Sequence, residues 1–353
     1  MSDLLQKLGI TLPIIQAPMA GTSTPALAAA VSNAGGLGSI GVGAVNADKA
    51  RTTIAALRSA TNRAFNVNVF CHQPATPDPA REAAWTARLA PTFAHFGATP
   101  PAALHEIYKS FAVDDAMFEM LLLERPAVVS FHFGLPAPAK IAALRGAGIT
   151  LLASATSLDE AQAVAAAGVD GVVAQGIEAG GHRGIFEPAA PDEQLGTFAL
   201  TRLLVKNMGI PVVAAGGIMD GAGIAAALAL GAVAAQMGTA FVACPESDAD
   251  APYRTALLDK TNVRTTLTTA ISGRPARCIV NKFTALGADV TVAEIAPYPM
   301  AYDAGKALNA TAKARGDSGY GAQWAGQGAA LARSMPAAQL MGVLQAELER
   351  ARI

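Results

Sequence analysis

One pattern recurs along the chain: a short apolar run, a turn carrying Gly or Pro, then an Ala-rich stretch of helical character. Alternation of that kind reads as βα units around a parallel sheet. The candidate strands are PIIQAPM from 13, GLGSIGV from 36, FNVNVF from 65, AVVSFHF from 127, TLLASA from 150, GVVAQG from 171, PVVAAGG from 211 and AAQMGTA from 234. That is about eight, the number that closes a TIM (β/α)8 barrel. Helix signals keep the same order. Thr24 and Pro25 supply a cap and an N1 proline for PALAAAVSNAGG, which Gly35 and Gly36 stop. Ser157 with Glu160 reads as a capping box, and Asp220 caps GAGIAAALALG. Short strand-to-helix turns then gather on the C-terminal rim, where barrel enzymes keep their sites.

Two segments exceed a minimal barrel. Residues 72–126 hold the helical patterns AREAAWTARLA and DDAMFEMLLLE and are expected to be an inserted, mostly helical cover. Residues 245–320 carry turn-rich text with scattered Tyr and are expected to be a second substrate-covering region. The barrel is then split into 1–71 and 127–244, with 321–353 as C-terminal helices packing on it.

Charge and composition narrow the partner. A formal net charge of -1 gives no nucleic-acid or membrane-surface footprint, so a small molecule is expected. Apolar runs break well before the ~20 residues that span a bilayer, and MSDLLQKLGI lacks a signal-peptide core, so a soluble, cytoplasmic protein is expected. Cys71, Cys244 and Cys278 show no CxxC or ligand spacing and read as reduced bystanders. The histidines show no HExxH or two-His-carboxylate spacing, so no metal is expected. GLGSIG at 36–41 matches GxGxxG, but it follows a helix stop and contains a strand, the wrong context for a dinucleotide fold.

The residues that carry chemistry lie at strand ends. Gly216 and Gly217 end the seventh candidate strand, and Gly238 and Thr239 the eighth. Those two loops of a barrel commonly hold phosphate through exposed backbone N–H groups. Gln16, Asn66, Asn68, Gln175 and Gln236 put amides into otherwise apolar strands. A buried unpaired amide costs about 1–3 kcal/mol, so they imply a satisfied network or a polar heterocycle such as a flavin ring. Ala17, Pro18 and Met19 would add backbone and apolar contact.

The segments PIIQAPMAG, FNVNVFCH, VVSFHFGLP, QGIEAGGHRG, PVVAAGGIMDG, QMGTAF and YGAQWAGQG together resemble class I nitronate monooxygenases, from about residue 13 to 335. The resemblance implies FMN as cofactor. It puts Asn68, Gln175, Gly180, Gly217, Gln236, Met237, Gly238 and Thr239 on the flavin and its phosphate, with Gly181 and Gly216 beside them. It makes His182 the catalytic histidine, and implies oxidation of an alkyl nitronate by O2, with propionate 3-nitronate as the physiological substrate, to a carbonyl compound and nitrite or nitrate. Two other readings stay open: an NAD(P)H-dependent reductase of the same FMN barrel group, and a non-catalytic FMN-binding module.

A histidine in a glycine loop can accept a carbon-bound proton or, protonated, hold an anionic nitronate. The second role is expected for His182, because one-electron oxidation of a nitronate needs no base. His132, Tyr108, Tyr298, Tyr302 and Lys306 are expected to contact the substrate, Lys306 lying one helical turn after Tyr302.

Overall fold

The computed structural model describes residues 3–351. Nine strands come first in the chain: β1 (Ile14–Gln16), β2 (Gly38–Gly41), β3 (Phe65–Phe70), β4 (Val128–His132), β5 (Thr150–Ala155), β6 (Gly171–Gln175), β7 (Gly181–His182), β8 (Val212–Ala215) and β9 (Ala234–Met237). All but β7 pair in parallel, in the order β1-β9-β8-β6-β5-β4-β3-β2. The ends of that ribbon meet. Gln16 N–H donates to the Leu37 carbonyl at 2.9 Å and Leu37 N–H to Ile14 at 3.0 Å, which closes the expected barrel.

Continuous apolar strands arise because both faces of a parallel barrel are buried. Successive side chains still alternate. Val128, Leu152, Val173 and Val213 point inward, joined by Leu4, Leu5 and Leu8 from the N-terminal segment. Their neighbours Val129, Leu151, Val172 and Val212 point outward against the helices.

The expected caps form: Thr24, Ser157 and Asp220 accept from the backbone N–H of Leu27, Glu160 and Gly223. The capping box at Ser157 is not reciprocal. Glu160 instead takes Thr156 N–H at 2.6 Å and Phe186 N–H at 2.7 Å, tying the helix start to the loop after β6.

The two expected covers are divided differently from the sequence reading. Within 72–126, the helix Asp115–Glu124 packs between the helices Ala47–Ala60 and Pro138–Gly146 and is the third member of the barrel's own helix ring. Only Pro79–His95 is cover; it buries Trp85, Leu89 and Phe93 against Ile295, Ala301 and Leu308 of the helix Met300–Ala314 and its approach. An amphipathic pattern gave both helices equal standing in the sequence, and only packing separates them. The ring ends with Ala337–Ala351, which docks between Gly221–Ala229 and Pro25–Asn33. Between β9 and that last helix lies the second cover, with an antiparallel hairpin of β10 (Thr265–Thr268) and β11 (Ala276–Ile279).

Two glycines test the packing with opposite signs. A Cβ on Gly38 would lie 1.9 Å from the Ala28 carbonyl oxygen, whereas one on Gly342, exposed in the last helix, would meet nothing. Gly38→Ala is expected to lower the apparent Tm and soluble yield, since overpacking costs about 1–3 kcal/mol even where neighbours give way. Gly342→Ala is expected to raise Tm slightly, by the ~0.5–1 kcal/mol a helical glycine forfeits. Thermal unfolding of both variants checks the pair.

Candidate active site

A cavity opens at the C-terminal ends of the strands. Its walls include Ala17, Pro18, Met19, Asn68, Tyr108, His132, Gln175, Gly180, Gly181 and His182. They continue through Gly216, Gly217, Gln236, Met237, Gly238, Thr239 and Tyr302. Most of the expected site residues are therefore brought together.

Gly217 adopts φ +68°, a left-handed conformation that side chains resist. The backbone N–H groups of Gly217, Gly238 and Thr239 find no acceptor among the described residues. All three residues line the cavity, and unspent backbone donors on neighbouring turns are the kind of group that suits an anion. Gly180 is a glycine for another reason, which at Gly216 adds to a φ of +125°. A Cβ on Gly180 would meet Gly326 N at 2.5 Å, and one on Gly216 would meet Thr197 Oγ at 2.5 Å, so protein neighbours exclude side chains there.

The strand amides divide likewise. Gln16 is fully buried and does not reach the cavity; its Oε1 accepts from Ser39 N–H at 2.9 Å and its Nε2 donates to Ser23 Oγ at 2.9 Å. Asn66 is also away from it, donating to Ser39 Oγ at 3.2 Å. Asn68 lines the cavity and donates to Ser130 Oγ at 2.9 Å. Gln175 borders it, yet spends its amide on the next loop, donating to the His182 carbonyl at 3.0 Å and accepting from Gly184 N–H at 2.7 Å. Gln236 lines the cavity with no partner for its side chain among the described residues.

The loop after β6 is held from three sides. β7 pairs antiparallel with β11, setting His182 opposite Ala276. His132 Nε2 lies 3.2 Å from the His182 carbonyl and its Nδ1 lies 3.0 Å from Ser154 Oγ. Both ring nitrogens of His132 are thus used on the scaffold, and its expected substrate contact becomes support of the His182 loop. The His182 ring itself is enclosed by aromatic rings, with Trp324 at 5.0 Å, Phe133 at 5.5 Å, Tyr298 at 5.7 Å and Tyr302 at 6.0 Å.

The tyrosines separate by depth. Tyr108 and Tyr302 reach the cavity, as does Tyr253, whose hydroxyl donates to the Trp324 carbonyl. Tyr298 does not line it; 8% exposed, it sits behind His182 and packs edge-on against His72 at 5.0 Å. Lys306 lies in an adjoining chamber that shares Tyr108, Tyr253, Tyr302 and Trp324 with the cavity. Its Nζ sits 4.8 Å from the Tyr108 ring centroid and 5.3 Å from that of Tyr302, with no carboxylate in ion-pair range among the described residues. Trp324, Ser130 and Ser154 also line the cavity. Residue type alone gave no reason to select the serines, and Trp324 was signalled only by the segment YGAQWAGQG.

Desolvation, then the nearby His132 and Arg274, lower the pKa of His182 to about 3, which weighs against the expected role of holding an anion by charge. Burial also lowers His132 and His72 to about 4. Burial depresses Lys306 as well, though Asp303 opposes the shift.

Comparisons with known proteins agree with this geometry. A family profile described as nitronate monooxygenase matches residues 1–347. The chain belongs to the nitronate monooxygenase family. Within that family of oxidoreductases it is 66% identical to the nitronate monooxygenase of Paraburkholderia phytofirmans, covering 98% of this chain and 95% of the relative. It is 58% identical to that of Pseudomonas aeruginosa, covering 97% of each. Among solved structures, the nitroalkane oxidase of Streptomyces ansochromogenes superposes with TM-score 0.90 at 43% identity over 99% of both chains. FabK from Thermotoga maritima superposes at 0.75 with 32% identity, over 99% of this chain and 96% of that one. Among the described residues no group of three or more His, Cys, Asp or Glu could hold a metal ion, and no helix is long and apolar enough to cross a membrane.

Three histidines of this nitronate monooxygenase family member, His72 in the core and His132 and His182 at the cavity wall, predict an acid-sensitive fold. Each binds its proton more weakly when folded than the ordinary 6.5, so the unfolded state takes up more protons as pH falls. Stability is full above about pH 6.5 and is lost progressively towards pH 4. Urea unfolding across that window should show the slope, about 1.4 kcal/mol per pH unit for each proton taken up. His72→Leu should flatten it by about one proton's worth.

Proposed function

We propose that the cavity binds FMN and that the chain oxidises alkyl nitronates with O2, propionate 3-nitronate among them, to a carbonyl compound and nitrite or nitrate. The observation that carries the reading is that Gly217, Gly238 and Thr239, whose backbone N–H groups find no acceptor among the described residues, line one cavity together with His182. The fit to a flavin phosphate is chemical: three neutral donors suit a dianion, and no carboxylate is needed among them. Gln236 supplies an unspent amide for the polar edge of a ring system, and Pro18 and Met19 supply apolar wall.

Bound FMN would supply the electron acceptor and the route to O2. The protein's own residues bind, orient and exclude water. Tyr108, Tyr302 and Trp324 wall off the substrate side with aromatic surface. Lys306, a cation held over two phenol rings, meets a second negative charge on the substrate at the adjoining chamber. His182, neutral, is suited to accept a proton from carbon where a neutral nitroalkane is the substrate. The name of the Streptomyces relative, a nitroalkane oxidase, supports that extension.

The likeness to FabK favours one alternative, a reductase fed by NAD(P)H. Two assays separate the readings: oxygen uptake with propionate 3-nitronate in air, and anaerobic mixing with NADH. Rapid oxygen uptake with no bleaching by NADH is expected; rapid bleaching with no nitronate-dependent uptake would make the protein a reductase. Flavin released by denaturation should chromatograph as FMN. Gly217→Asp should purify folded and colourless, because a carboxylate beside the phosphate adds like-charge repulsion and a Cβ at a left-handed glycine.

Lys306→Met isolates the second charge. It should raise KM for propionate 3-nitronate about 10- to 100-fold, the worth of one hydrogen bond to a charged group, and leave ethyl nitronate nearly unchanged. Steady-state oxygen consumption with both substrates checks it.

A further inference from the structure

Ser272 lies in the turn before β11, fully buried, and is not one of the cavity-lining residues. Its Oγ is 2.9 Å from His182 Nε2 and 3.1 Å from the Arg274 carbonyl oxygen. Arg274 N–H also points at Oγ, at 3.4 Å. The hydrogens can be counted. A serine hydroxyl has one hydrogen to give, and a carbonyl can only accept. Both contacts are satisfied only when Ser272 donates to Arg274 and accepts from His182, which puts the imidazole hydrogen on Nε2. In the other tautomer Nε2 would compete for the serine hydrogen, and the Arg274 carbonyl would lose its donor.

We propose that Ser272 is a positioning residue that fixes His182 as the Nε2–H tautomer, leaving the Nδ1 lone pair to take the α-proton of a neutral nitroalkane. This rests on the nitronate-oxidising reading. In the step, the α C–H bond of the nitroalkane breaks and its proton forms a bond to Nδ1. The electron pair moves into a C=N bond, and a nitro oxygen takes the negative charge, giving the nitronate that the enzyme then oxidises. Nothing is oxidised or reduced in the transfer itself.

The surroundings agree with this assignment. Nδ1 has no hydrogen-bond partner among the described residues, and His182 borders the cavity. Every other titratable or charged group near the ring is neutral or cationic: His132 on β4, His72 after β3, Tyr298 and Tyr302 on the cover, and Arg274 in the Ser272 turn. Arg274 has no carboxylate in ion-pair range among the described residues; it stacks on Phe133 with its carbon 4.4 Å from the ring centroid and donates to the Ile185 carbonyl. None of these groups competes with Nδ1 for a proton; the cationic Arg274 lowers the proton affinity of the ring, and the same charge favours the nitronate that the transfer creates.

The test compares nitroethane with ethyl nitronate, two forms of one carbon skeleton, on the flavin-loaded enzyme. Ser272→Ala should lower kcat/KM for nitroethane about 100-fold, the scale of a positioned base, while ethyl nitronate stays within about 3-fold. Ser272→Thr, which keeps the hydroxyl, should restore most of the nitroethane rate. Independently, 15N-histidine NMR of the wild-type protein should show His182 protonated on Nε2 and unprotonated on Nδ1, and Ser272→Ala should show both tautomers. Parallel losses on the two substrates would reduce Ser272 to a structural residue. A wild-type His182 carrying its hydrogen on Nδ1 would overturn the proposal even if Ser272→Ala failed to fold. A wild type that oxidises ethyl nitronate but not nitroethane would overturn the proton-acceptor assignment. A wild type inactive on both would sink the nitronate reading, and the NMR result would still decide the tautomer.

Discussion

The closure of the barrel at β1 is the contact on which the other features depend. Gln16 and Ile14 exchange backbone hydrogen bonds with Leu37, while the other edge of β1 pairs with β9. With that seam made, no strand edge is left open in the barrel, and the turns after eight strands face one another across a single rim. Gln16 itself reinforces the seam, its side chain bridging Ser39 and Ser23 across β1, β2 and the turn that follows β1. An amide that reads as a cofactor ligand in the sequence is a clamp on the fold.

The same economy governs the rim. His182 sits on a two-residue strand that borrows its partner from the cover hairpin, so its loop and the hairpin are one folded unit. Gln175 and His132 both hold its carbonyl oxygen, and Ser272 holds its ring. The enclosure of the His182 ring by its neighbours is also what lowers its pKa. Under the proposed function such a ring offers a fixed lone pair rather than a charge, and Lys306, with its ammonium over aromatic faces in the neighbouring chamber, is the group proposed to meet a substrate's charge.

Glycines at the site carry distinct duties that look identical in a sequence. Gly217 is required by a left-handed backbone, and Gly216 by both its conformation and Thr197. Gly180 is required by the chain at Gly326, which brings the late YGAQWAGQG segment against the loop after β6. That packing explains how a stretch so far along the chain places Trp324 5.0 Å from His182.

All eight barrel strands, the caps at Thr24, Ser157 and Asp220, and the gathering of Gly217, Gly238, Thr239 and His182 at one rim were legible in the sequence. These follow from local physics: hydrophobic runs, cap chemistry and the fixed direction of a βα unit. The motifs also marked the family, and its profile runs along residues 1–347. Tertiary structure alone decided which polar groups were already spent. Gln16, Gln175 and His132 find their partners across other strands and loops, Tyr298 turns behind the site, and the helix Asp115–Glu124 joins the ring rather than the cover. The reason is that a residue's hydrogen-bond capacity is written in its side chain, but what satisfies it depends on how other turns and strands, 7 to 50 residues away for Gln16, Gln175 and His132, fold back on it. The charge of His182 is of the same kind, because desolvation is a property of everything packed around the ring.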